Sequence, residues 1–409
     1  MLQRTQMSSR AEAPKSRRRA WCPILGSAVL LSFLALSCSA STGSIGAILG
    51  KNHATGRVTV REVPPDMGSA RAGLEPGDQV LLIDGRDVRS MTAEQIHEAL
   101  VGPIGSKVAL TVERDGRIYG RGVEDNQQGL TAMIFALRAV LEEGVLPTSE
   151  VGLLFVADEE NGNAYGLLHV LKAAPELFGP QDLVVVPDFG SPAGDLLEIA
   201  EKSVLQVRFT VRGKQAHASM PDAGVNAHRA AAHLTVRLDG ALHEAFPQTD
   251  TMFDPPTSTF EPTRRDANVP NVNTIPGVDR FWFDCRILPS VSLDGVKSRI
   301  NEVAGEIAEE WGVEVDVAYT GEHPAAPPTA ANAPVVLAVA DAVRQVRGVE
   351  PKTIGIGGGT VAAEFRRRGI AAVAWSTCDG VAHQPNEYAI VDNMVADALV
   401  LAHLFVRDQ

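Results

Sequence analysis

The sequence predicts an α/β domain interrupted by an inserted α+β domain and preceded by a small β-rich module. Three observations predict this. Apolar runs end in acidic residues, as in Val151-Gly152-Leu153-Leu154-Phe155-Val156-Ala157 before Asp158-Glu159-Glu160, and Leu183-Val184-Val185-Val186 before Pro187-Asp188. Buried strands with carboxylates at their ends suit a sheet whose carboxyl edge carries a site. Further on, Leu205, Val207, Phe209 and Val211 alternate with polar residues, as do Phe281, Phe283, Cys285 and Ile287, which describes strands with one polar face. Ahead of both, residues 43–114 hold short alternating segments punctuated by turns.

A chain of 409 residues that is 45% hydrophobic can bury two or three cores. The first 40 residues carry six of the 37 basic residues and one of the 50 acidic ones, so the formal net charge of -13 becomes -18 without them. Such a chain repels phosphate backbones, and the sequence offers no basic patch for nucleic acid. Residues 1–40 read as a signal peptide or a membrane or lipid anchor. A basic run from Lys15 to Arg19 precedes an apolar stretch, Ile24 to Leu36, too short for a comfortable span, and small residues follow up to Ala40. Cleavage after Ala40, lipidation of Cys38 and an uncleaved anchor all remain open, and each places the protein in a bacterial cell envelope. Without a leader the chain would be cytoplasmic. Beyond it only Cys285 and Cys378 remain, which implies no disulfide framework.

In the first module, Gly43 to Leu49 leads into the alternating strand Arg57 to Val63. Ala72-Gly73-Leu74, Gly77-Asp78 and the strand Val80 to Ile83 with Asp84-Gly85 follow. A short helix from Thr92 to Leu100 has Thr92 as its cap and Gln95 three residues on, and Gly105 to Arg114 closes the module. Residues 43–114 resemble a PDZ domain of the bacterial processing-protease type. Such domains add an extended peptide to a sheet edge and hold its terminal carboxylate on backbone amides. The resemblance assigns the amides to Ser44, Ile45, Gly46 and Ala47 and the side-chain pocket to Ile96. A docking or spacer module without a free peptide is the alternative.

The second module begins at Gly116. A helix from Leu130 to Glu143 stopped by Gly144 precedes the two apolar strands above. Residues 116–202 and 321–409 form the α/β domain, and 203–320 the insert, with helices near Val225 to Leu238 and Ser292 to Trp311 and a strand near Val313 to Tyr319. Asp, Glu and His at sheet ends are the ligands a hydrolytic ion such as zinc requires. Taken singly, Asp125 could cap the following helix, Asp188 could be a turn residue and His383 a surface histidine.

Four motifs occur in one order: Tyr119-Gly120-Arg121-Gly122-Val123-Glu124-Asp125, Asp158-Glu159-Glu160, Gly357-Gly358-Gly359-Thr360 and His383-Gln384-Pro385-Asn386-Glu387. With them residues 116–409 resemble the M20 metallopeptidases and amidohydrolases, a group of N-acyl amino acid deacylases, desuccinylases and dipeptidases. The resemblance implies a site of two ions, Zn2+, Co2+ or Mn2+. Asp125 would bridge them, Glu160 and His383 would hold one, and Asp188 would hold the other, with Glu159 as general base. It also implies that the insert is a lid and a dimerisation domain. His217 would polarise the scissile carbonyl, often in the partner's site, while Asn273, Arg286, Gly359 and Thr360 hold a substrate carboxylate. The substrate class is a dipeptide or an N-acyl amino acid. Arg286 as a solvated strand residue is the bland alternative.

The chain departs from that pattern in one respect. Members of the group carry a His-x-Asp motif, whose His is a ligand of the second ion, ahead of their Tyr-Gly-Arg-Gly. Here His53 is followed by Thr55 and His97 by Ala99, both in the first module. The second ion is left with Asp125 and Asp188, fewer than the three or four ligands zinc ordinarily takes. The α/β domain is expected to be incomplete and to expose apolar surface. A fusion holding one ion, a non-catalytic peptide-binding or scaffold protein, and a chimeric gene each account for this.

Overall fold

The computed structural model describes residues 42–407. The leader expected over 1–40 lies outside the described residues.

In the first module, strands Ile48–Lys51, Val58–Glu62, Gln79–Ile83 and Leu110–Arg114 are antiparallel neighbours. Their inward residues Val58, Val60, Val80, Ile83 and Val112 form its core. Helix Ala93–Leu100 starts where the sequence places its cap: Gln95 N–H donates to Thr92 Oγ1 at 3.2 Å and Thr92 N–H donates to Gln95 Oε1 at 2.8 Å. The sheet does not end at residue 114. Asp115 and Gly116 both adopt positive φ, 51° and 75°, and make a two-residue hairpin turn of the kind Asp-Gly favours. The chain returns as Arg117–Tyr119, antiparallel to Leu110–Arg114, and Tyr388–Ile390 pairs on its other side. One seven-stranded sheet therefore runs through both modules.

The central sheet of the α/β part has the order Lys352–Ile356, Leu196–Glu201, Ala372–Thr377, Val184–Ser191. Leu197, Ile199, Val373 and Trp375 pack with the helices Pro334–Arg347 and Val391–Val406. Val186, Ala372 and Ala374 pack with Leu167, Leu171 and Phe365. Strand Val184–Ser191 is longer than the sequence suggested, so Asp188 lies within it rather than past its end.

The run Val151–Ala157 is corrected by the structure: expected as a buried strand, it pairs with no strand among the described residues. A β-strand exists only with a partner on at least one edge, and here none is alongside. Leu154 and Val156 still pack inward, Leu153 lies by Ile134, Leu137 and Leu141, and Phe155 is 49% exposed. The neighbouring helix Gln128–Glu142 has the same problem. Ala132 and Ala136 are buried with Leu401 of Val391–Val406, while Ile134, Phe135 and Leu141 are 41%, 54% and 57% exposed. A helix apolar on both faces is ordinarily covered on both.

The insert has no such gap. Strands Thr259–Arg265, Val278–Ile287, Ser203–Arg212 and Glu314–His323 form an antiparallel sheet in that order. Its central ladder runs unbroken from Ser203 opposite Ile287 to Arg212 opposite Val278. Helices Ala227–Ala245 and Leu293–Trp311, capped by the side chains of Asn226 and Ser292, cover one face. Phe209, Phe260, Leu234, Leu238 and Ile300 are fully buried between them.

Candidate metal centre

Two carboxylates that the sequence reading did not single out bring the site together. Glu124 accepts N–H bonds from Asp379 and Gly380 on one oxygen, at 2.6 and 3.1 Å, and from Val381 and Ala382 on the other, at 2.6 and 2.7 Å. Glu387 accepts from Gly122 at 2.9 Å and from Glu124 and Asp125 at 3.0 and 3.2 Å. Each loop's buried carboxylate thus grips the other loop's amides, and the pairing of Tyr119 with Tyr388 sets the register between them. The outcome is that Asp125 and His383, 258 positions apart, meet at 2.9 Å. The only sequence signals for the two carboxylates were their places beside Asp125 and at the end of the last motif.

The third group comes from the turn after the unpaired run. Asp158, at φ 69°, leads into a short 3-10 turn, Glu159–Asn161, and Glu160 Oε1 lies 2.7 Å from His383 Nε2. Asp125, Glu160 and His383 offer ligand atoms within 4.8 Å of one another, the one such set among the described residues. Two carboxylates and an imidazole are the donor set of a zinc-like ion, so the residues fit one cation. Asp188 stands outside that set. Its Oδ1 accepts from Asn126 Nδ2 at 2.7 Å, a contact with a residue adjoining Asp125 that the sequence reading passed over.

The electrostatics of the site are those of crowded acids. Burial, then the charges of Asp188, Glu160 and Asp125, push Glu159 up to about 7. Burial likewise raises Asp188 to about 6, against the bond from Asn126. Asp125 is raised by burial and by Glu160, and His383 is raised by its bond to Glu160. A bound cation relieves all of these together.

The other expected residues lie apart from this set. His217 pairs through its strand with Thr274, is exposed, and bonds Ser219 Oγ through Nδ1 at 2.7 Å. Asn273 accepts from the Asn271 amide on the same exposed loop. Arg286 holds Asp284 at 2.5 Å and donates to the Gly357 carbonyl at 2.9 Å, which ties the insert to the glycine loop. In that loop the Thr360 N–H and Oγ1 donate to the buried Glu201 at 2.8 and 3.0 Å, and Gly359 lies over the same carboxylate. Arg366 stands behind it, 2.6 Å from Glu198 and 3.7 Å from Glu201. In the first module, the loop of Ser44, Ile45, Gly46 and Ala47 turns at Gly46, φ 79°, and Ile45 accepts from Ser69 at 2.8 Å. Ile96 is 6% exposed within the module's core. Ile48–Lys51 is the outermost strand of the seven-stranded sheet.

Comparison with known proteins agrees with this construction. The pattern of peptidase family M20/M25/M40 matches residues 94–407, and that of the PDZ domain residues 36–113. The chain belongs to the M20/M25/M40 peptidase family and carries an amino-terminal PDZ domain. It is 36% identical over 350 residues to an uncharacterized metallohydrolase of Methanocaldococcus jannaschii, covering 80% of this chain and 83% of that one. It is 29% identical over 283 residues to a succinyl-diaminopimelate desuccinylase of Alkalilimnicola ehrlichii, covering 68% and 72%. Among solved structures it resembles aminopeptidase PepT of Bacillus cereus, with a TM-score of 0.58, 19% identity and 88% of each chain covered. Human carnosine dipeptidase 1 gives 0.57, with 17% identity and 73% and 75% covered. The last two likenesses are of fold.

Proposed function

We propose that the protein hydrolyses an amide or peptide bond next to a free carboxylate, in a dipeptide or an N-acyl amino acid, at one metal ion held by Asp125, Glu160 and His383. The observation that carries this reading is the meeting of those three groups on loops laced by Glu124 and Glu387. A bound Zn2+, Co2+ or Mn2+ supplies Lewis acidity, polarising a carbonyl and acidifying water. Glu159, with a proton affinity near neutrality, takes the proton of the attacking water and delivers it to the leaving nitrogen. By resemblance to the family, Asn273, Arg286 and the Gly359-Thr360 turn would orient the substrate carboxylate; here Arg286 is bonded to the Gly357 carbonyl and Thr360 to Glu201. The same reading makes the chain an exported homodimer. It supports His217 acting in a partner's site that this histidine is exposed and its imidazole bonds the neighbouring Ser219.

Glu159→Gln tests the proposal. Retained metal with turnover lowered by about 10²–10⁴-fold supports it; unchanged hydrolysis contradicts it.

A second reading is a peptide-binding scaffold without turnover. It is favoured by Asp188, which stands outside the metal cluster, and by the open edge of strand Ile48–Lys51, where a carboxyl-terminal peptide could add. That reading expects Glu159→Gln to leave function intact.

A further inference from the structure

The insert's sheet has a second face. Its helices cover the odd-numbered residues of Ser203–Arg212 and of Val278–Ile287, so the even-numbered ones lie on the opposite side. Register places Arg264, Trp282 and Arg208 in one row across three strands, and Arg280 beside Thr210 in the next. With Arg212, at the following even position, these six line a concavity of about 210 Å³.

Charge and hydrogen bonding in this hollow are unbalanced. Four guanidinium groups stand against two carboxylates, Asp266 and Asp316, a net of +2 in a chain whose total is -13. Only Arg264 has an ion-pair partner, Asp266 at 3.2 Å; Arg208, Arg212 and Arg280 have none among the described residues. Arg208 Nε is shut away from water and bonded to nothing, and Thr210 is 2% exposed. Arg264 is held with its guanidinium 4.2 Å from the centre of the Trp282 ring. Arginines converging without partners present several forked donors to one anion, the geometry that suits phosphate oxygens. The hollow is not the catalytic cleft. Arg286, which touches the glycine loop, lies on the same strand six residues beyond Arg280, roughly 20 Å away at the rise of a β-strand.

We propose that this face is a binding site for a compact multivalent oxyanion of the diphosphate type, held by Arg208, Arg212, Arg264 and Arg280 around Thr210. The diphosphate group is the recognised chemistry, whether free or carried as an ester.

The test is titration of the full-length protein with inorganic pyrophosphate, and separately with ADP, at low ionic strength. Calorimetry gives stoichiometry, and tryptophan fluorescence, assigned with Trp282→Phe, gives a local signal. The expected result is one ligand per chain with a Trp282 response, and at least tenfold weaker binding in the Arg208→Ala, Arg280→Ala double variant. Equal affinity for the two ligands assigns recognition to the free group, and tighter ADP binding assigns it to an ester. If the double variant does not fold, the exposed Arg212→Ala takes its place, with weaker binding again expected. No binding of either ligand overturns the proposal. So does binding of wild-type strength in a folded arginine variant, because that places the anion at the metal centre or elsewhere.

Discussion

The insert and the flank of the catalytic domain formed by helix Gln128–Glu142 and the run Val151–Ala157 both carry apolar residues in helix- and strand-like patterns, yet they end differently. In the insert every strand finds a neighbour and the side chains between sheet and helices are sealed, with Phe209, Phe260 and Leu238 at 0% exposure. In the flank a strand-like run has no ladder, and Ile134, Phe135, Leu141 and Phe155 reach solvent. Apolar composition therefore does not by itself make a strand or a buried helix face; a partner must lie alongside. Even so, the turn at the end of the unpaired run brings Glu160 to Asp125 and His383, completing the candidate metal cluster. Their geometry depends on the carboxylates of Glu124 and Glu387, which grip backbone amides across the two loops.

The largest effect that sharpens this contrast is expected at the lacing itself. Glu124→Ala frees four amides and leaves the 379–382 loop without its anchor, so His383 loses its position. Metal affinity is expected to fall at least tenfold, read by competition with a chromogenic chelator; unchanged affinity would show that the loops need no lacing. Next comes packing. Phe209→Ala, in the sealed insert core, should cost about 3–5 kcal/mol by denaturant titration. Ile134→Ser on the open helix face should change stability by within about 0.5 kcal/mol and lower the binding of an apolar dye. If the two cost alike, the flank is covered in solution.

A smaller, pH-dependent effect is expected beneath the glycine loop. Burial raises Glu198 to about 7 despite Arg366, and its Oε1 has no hydrogen-bond partner. The folded state then holds this proton more tightly than the unfolded chain, so as pH rises from the ordinary carboxyl range through about 7 the group's contribution becomes destabilising. Wild type should lose stability between pH 5 and 8, and Glu198→Gln should lose less over the same interval. A local effect is expected from Thr92→Ala, which removes one half of a capping box and should cost about 1 kcal/mol.

Much of this molecule was legible from its sequence because local pattern and tertiary context agree there. The alternation of Val207, Phe209 and Val211 against Phe281, Phe283 and Cys285 became a ten-residue ladder, and Thr92 with Gln95 became a capping box. The resemblance also pointed to Asp125, Glu160 and His383, which the fold brings together. What could not be read depended on groups distant in sequence. Val151–Ala157 has the period and composition of a strand, but neither reports whether a neighbour exists. Glu124 and Glu387 act by accepting amides 255 or more positions away. The Asp115-Gly116 turn was passed over as a seam between modules, although its two positive φ angles make it the hairpin that joins them. Likewise, the arginines at 208, 212, 264 and 280 form no run, and only strand register gathers them.

The most direct test of the single-ion centre is elemental analysis of the purified full-length protein after zinc loading and desalting, beside His383→Ala. One ion per chain in the wild type, lost in the variant, is the predicted result. No retained ion in folded wild-type protein, or one held equally well without His383, would contradict it.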